Sequence, residues 1–107
     1  MTGNVHDERR AHARHPFFAG VEIREPASRY VAIARVNELS RGGCYIDTLN
    51  PLRAATAVEL LITHDGETIA VPARVVHEEA SVGMGLRFDE QEERARLLDR
   101  WLPGSDV

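Results

Sequence analysis

The sequence predicts an all-β domain closed off by one C-terminal helix. Six short runs rich in β-branched and apolar residues recur at near-regular spacing between turn formers, which is the strand pattern. The apolar period then switches to a helical one near the end of the chain. Strands in series followed by one amphipathic helix make a small antiparallel barrel or sandwich with the helix packed on it. At 107 residues the chain fits one domain, large enough to bury a core without staples.

The elements follow in order. Residues 1–16 are polar, lack an apolar period and end at Pro16, so they are expected to form a flexible arm ahead of a folded body at 17–103. Phe17 to Glu25 makes the first strand, with Val21 and Ile23 on one face and Glu22 and Arg24 on the other. Pro26-Ala27-Ser28 breaks it. Tyr30 to Glu38 forms the second strand and Gly43 to Leu49 the third, and Asn50-Pro51-Leu52 turns the chain into a fourth at Ala57 to Thr63. Asp65-Gly66 supplies a tight hairpin turn into a fifth strand, Thr68 to His77, and Met84 to Phe88 is the sixth. Asp89 is placed to cap the helix, with Glu92 reaching back. Ala95, Leu98, Trp101 and Leu102 then recur at helical spacing over residues 90–102, and Gly104 stands just past them. Met84, Phe88, Leu98 and Trp101 read as core between the last strand and the helix.

Composition removes several function classes. Every basic side chain except histidine is arginine; residues 1–53 carry +2 and residues 54–107 carry −6, giving the net −4. A net acidic chain argues against sequence-independent nucleic-acid binding, which must neutralise many phosphates at once, whereas a small anion needs only a local cluster. With no apolar run near 18 residues and no basic-then-apolar N-terminus, neither membrane insertion nor secretion is expected, and the cytoplasm is the expected compartment. The single cysteine, Cys44, lies in the apolar run Cys44-Tyr45-Ile46 and is expected to be a buried thiol without a redox role. There is no nucleophile motif, no H-E-x-x-H and, without any lysine, no lysine-bearing phosphate loop, so neither an enzyme nor a cofactor is expected. His6, His12 and His15 lack the cysteine or carboxylate partner that would make a metal site.

Ligand chemistry concentrates in two segments. Arg9-Arg10-Ala11-His12-Ala13-Arg14 sets three guanidiniums on the arm, and Glu38-Leu39-Ser40-Arg41-Gly42-Gly43 offers a carboxylate, a hydroxyl and a glycine turn between two strands. Guanidiniums pair with phosphates and guanine edges, and a carboxylate accepts guanine N–H groups, a combination suited to a guanine nucleotide with a phosphodiester. Thirteen arginines make an R-x-x-x-R spacing unsurprising, and Arg96 with Arg100 forms a second one on the predicted helix. The order of features is more selective: arm, two strands, Ser-x-x-Gly turn, Gly-x-Gly strand, capped helix.

That order resembles a PilZ domain, the bacterial receptor domain for cyclic di-GMP, over nearly the whole chain. Arg10 and Arg14, with Arg9 before them, match the family's R-x-x-x-R; Glu38, Ser40 and Gly43 match its D/N-x-S-x-x-G. The run Gly83-Met84-Gly85-Leu86-Arg87-Phe88, leading to a helix that ends Arg100-Trp101-Leu102, is similar to the family's closing elements. The resemblance implies a six-stranded antiparallel β-barrel with a C-terminal helix. It further implies a receptor that wraps cyclic di-GMP between the arm and the barrel and signals to an effector protein the sequence does not identify. In that role Arg10 and Arg14 take guanine edges and phosphates, Arg9 stacks on a base or adds a phosphate contact, and Glu38 accepts guanine N1–H and N2–H. Ser40 offers its hydroxyl, and Gly43 lets the ligand approach the backbone. Glu38 departs from the family's Asp or Asn, and its extra methylene moves the carboxylate outward by roughly 1.5 Å. Some family members bind no nucleotide and act as protein–protein adaptors, and Glu38 keeps that alternative open.

Overall fold

The computed structural model describes residues 15–89 and 98–102, with the main chain alone at 15 and 16. Six strands follow one another: β1 (His15–Glu25), β2 (Tyr30–Leu39), β3 (Gly43–Asp47), β4 (Ala57–His64), β5 (Glu67–Glu79) and β6 (Gly83–Phe88). All pairings are antiparallel, and the order β1-β2-β3-β6-β5-β4 returns to β1, which closes a barrel rather than a sandwich. Closure leaves one interior to fill. Ile23, Leu39, Ile46, Leu60, Ile62 and Met84 are its largest fully buried side chains.

Alternation explains most of this. In β5, Ile69, Val71, Ala73 and Val75 point inward while Ala70, Arg74 and Val76 face out. Asp65 and Gly66 take φ of 56° and 81°, the left-handed pair a two-residue hairpin needs, and they join β4 to β5 with Thr63 opposite Thr68. Strand ends differ slightly from the sequence expectation. β3 stops at Asp47, because Thr48 N–H turns to the Val82 carbonyl at 3.2 Å and Leu49 points into solvent. β5 runs on to Glu79, past a register shift between Val75 and His77. β1 begins at His15, so two residues assigned to the arm belong to the barrel wall. Pro16 is tolerated there because β1 pairs with β4 only from Gly20 onward, leaving the proline on a one-sided stretch.

Two bulges shape the end of the barrel that carries the candidate site. Register shifts fall between Pro16 and Ala19 in β1 and between Val36 and Glu38 in β2. Val36 and Leu39 are both fully buried although three residues apart, which strict alternation forbids; the extra residue, Asn37, resets the phase and leaves Glu38 on the outer side.

The same end is covered by a helical turn at residues 98–101, whose Leu98 is buried against the core together with Leu102. Trp101 stacks on Phe17 with centroids 5.8 Å apart and meets His64 edge-on at 5.4 Å, while its indole N–H donates to Glu67 Oε1 at 3.1 Å. Arg100 pairs with the other Glu67 oxygen. Asp89 N–H donates to the Pro72 carbonyl at 2.9 Å, while its expected capping partner Glu92, with Ala95 and the rest of residues 90–97 of the expected helix, lies outside the described residues. Among the described residues no helix is long and apolar enough to cross a membrane.

Candidate functional site

The turn between β2 and β3 is built around Ser40. Its amide donates to the Gly43 carbonyl at 2.9 Å, and its hydroxyl oxygen accepts the amides of Gly42 and Gly43 at 3.2 Å each. The hydroxyl proton is directed at the Gly43 carbonyl, 3.3 Å away. Ser40 is buried and its hydroxyl is fully engaged, so its first chemical task is to hold the turn. Gly43 has an equally local cause. A Cβ there would overlap the Leu86 carbonyl oxygen and stand 3.2 Å from the Arg87 Cα, so the close passage of β6 demands glycine. Phe88 N–H completes the clasp by donating to the Gly42 carbonyl at 2.8 Å.

Glu38 sits just before this turn, half-buried on the outer wall. Its neighbours across the sheet are Pro16 on β1 and Tyr45 on β3. Nearby, Asn37 Nδ2 donates to Asp47 Oδ1 at 2.6 Å, Arg35 approaches the other Asp47 oxygen at 3.6 Å, and the Arg35 guanidinium lies 5.8 Å from the centre of the exposed Phe18 ring. Tyr45 donates its hydroxyl to Glu79 on β5. Its phenol is pushed up to about 12, by desolvation first, then by the Glu79 hydrogen bond and charge, with Asp47 and Glu38 adding to the repulsion. Cys44 points the opposite way, into the core, as expected, and burial raises its thiol to about 12.

Of the sequence-predicted site residues, Glu38, Ser40 and Gly43 come together on this turn. Arg9, Arg10 and Arg14 lie outside the described residues, as does any metal geometry for His6, His12 and His15. The main chain nonetheless fixes where the arm is attached: His15 pairs with Leu39 and Pro16 with Glu38, so β1 starts beside the turn.

Residues 8–103 match the family described as the PilZ domain. The chain belongs to the PilZ domain family. No curated protein matches the sequence. Among solved structures, the PilZ domain of CeSA from a cellulose synthesizing bacterium is similar at TM-score 0.68 and 20% identity, over 83% of this chain and 94% of that one. The PilZ domain with c-di-GMP of YcgR from Escherichia coli is similar at TM-score 0.72 and 16% identity, over 86% and 87%. The Borreliella burgdorferi PlzA protein in complex with c-di-GMP is similar at TM-score 0.64 and 14% identity, over 95% of this chain and 44% of PlzA, less than half its length. At these identities the likeness is one of fold.

Two residues of this PilZ domain's site were not singled out from sequence. Arg41, inside the motif, bonds Asp99 near the C-terminus at 2.8 Å. Tyr45 lies beside Glu38 and over β6. A signal for Tyr45 does exist: it stands two residues after Gly43, on the outer phase of β3, and Gly83 and Gly85 leave a strand face bare for a ring.

Proposed function

We propose that this PilZ domain binds cyclic di-GMP between an arm at residues 1–14 and the barrel's outer wall around Glu38, and shows the resulting surface to a partner protein. The observation that carries this reading is the pairing of Pro16 with Glu38. Arg14 precedes His15 in the chain, and consecutive Cα atoms are about 3.8 Å apart, so the arm's arginines start from the edge of the carboxylate-bearing turn. Arg10 and Arg14 supply forks for phosphate oxygens and guanine edges, Arg9 adds a third, and Glu38 accepts guanine N1–H and N2–H. Ser40 keeps the turn backbone fixed, and Gly43 lets β6 pass close behind it. Solved relatives carrying c-di-GMP, YcgR and PlzA, support the ligand class. An arm that orders on the ligand spends part of the contact energy on ordering and yields a new surface.

Calorimetric titration with cyclic di-GMP, beside an Arg10→Ala/Arg14→Ala variant and with GTP as control, tests the reading. Saturable binding that the variant loses is the expected result. A second reading, a nucleotide-independent adaptor, draws support from one observation: the turn and the passage of β6 account for Ser40 and Gly43 without any ligand. Absence of heat, together with unchanged amide signals from residues 1–14 at high ligand, would select it.

A further inference from the structure

We propose that the ring of Tyr45 is a stacking platform for a guanine whose edge is held by Glu38; this rests on the cyclic di-GMP reading above. Tyr45 pairs with Glu38 across β2–β3 and with Gly85 across β3–β6, so all three share the outer face. A Cβ at Gly83 would stand 2.6 Å from Tyr45 Cε2 and 2.9 Å from its hydroxyl, and one at Gly85 would stand 3.8 Å from Cδ1. Those atoms belong to opposite sides of the ring, so the ring lies across two glycines that have nothing to lift it. Its hydroxyl is tied to Glu79 at the far end. The result is a half-exposed aromatic surface, seated below and pinned at its tip, which loses little freedom on receiving a base.

Charge orients the ligand on that platform. The carboxylates gather at the ring, where Asp47, engaged with Asn37 and Arg35, and Glu79, engaged with Tyr45, stand with Glu38, whereas the exposed Arg87 lies on the same face nearer the turn, opposite Gly43. Phosphates are disfavoured at the ring, and the N–H edge of guanine is favoured. The base therefore belongs on the β3–β6 side, over Tyr45, and the phosphodiester on the β1 side, where the arginine-bearing segment begins. Directly opposed side chains have Cβ atoms about 4.5–5.5 Å apart, a span one purine covers while meeting both Glu38 and the ring. Stacking accepts any base; the choice of guanine comes from Glu38.

The test is an NMR and calorimetric comparison of the full chain with Tyr45→Leu and Tyr45→Phe. Leucine reaches as far as the Cδ position that covers Gly85 but has no π-face, and phenylalanine keeps the π-face while losing the Glu79 tie. Expected are an upfield ring-current shift of guanine H8 on binding wild type, near-native affinity in Tyr45→Phe, and about 5- to 150-fold weaker binding in Tyr45→Leu. Wild-type binding without an H8 shift or a contact between H8 and the Tyr45 ring protons overturns the platform while leaving the receptor reading intact. Undiminished affinity in a folded Tyr45→Leu does the same. Should Tyr45→Leu unfold, the wild-type H8 measurement decides alone, and failure of wild type to bind at all removes both proposals.

Discussion

Arg41 Nη2 stands 2.8 Å from Asp99 Oδ1, a contact that ties the β2–β3 turn to the helical segment at the end of the barrel. Arg41 lies between Ser40 and Gly42, so the turn cannot shift without pulling on that tie. The side chains are 33% and 52% exposed, which sets the scale of the interaction: water and salt screen it. A double-mutant cycle on Arg41→Ala and Asp99→Ala, read by thermal melting, should give a coupling of about 0.2–1 kcal/mol that shrinks in 1 M salt.

Gly43→Ala should destabilise the barrel strongly for a small change. The three atoms nearest the added methyl are all backbone of β6, so relief requires separating β3 from β6. Overpacking of this kind costs about 1–3 kcal/mol, and the upper end is expected because no side chain can move aside. Denaturant unfolding checks this without any ligand.

Ser40→Ala removes the acceptor for two turn amides and leaves them in a part-buried turn. The expected loss is about 1–3 kcal/mol of stability. Binding of cyclic di-GMP should weaken in step, as the turn that sets Glu38 loosens. Lost binding with an unchanged melting temperature would instead make the hydroxyl a direct ligand contact.

Arg14→Ala should weaken cyclic di-GMP binding about 5- to 150-fold, the worth of one bidentate arginine contact to guanine. Calorimetry at two salt concentrations checks it, since a phosphate-only contact would leave a smaller penalty at high salt.

Alkaline pH should destabilise the domain through one buried and one outer-wall group. Cys44 rises from 9.0 to about 12 and Tyr45 from 10.0 to about 12, and both groups are neutral when protonated. The folded state therefore holds these protons more tightly than the unfolded chain. That stabilisation is complete below pH 9, and it is lost as pH climbs through the unfolded values toward 12. Melting temperature should fall over this window. At pH 8 the thiol should react slowly with a disulfide reagent until the protein is unfolded.

Strand content was legible because β4 and β5 keep a strict two-residue period and Asp65-Gly66 marks their hairpin. The bulge at Asn37 was not, since Val36 and Leu39 reveal it only once the register with Ile46 and Cys44 is known. The motif turn was legible as a unit through Ser40 and Gly43, but its cause was not: it depends on Leu86, a strand that reaches it from 43 positions away. Arg41 and Tyr45 escaped for the same reason. Their partners, Asp99 and the glycines of β6, are set by barrel closure rather than by nearby sequence.

Trp101 is the chain's one tryptophan, and it rests on Phe17, three positions beyond Arg14. The domain thus has an optical gauge of its own at the place where the N-terminal segment meets the barrel. Its emission colour and lifetime depend on the Phe17 and His64 rings around it and on the Glu67 carboxylate at its N–H. A tug on β1 can be watched in the native protein without attaching a dye.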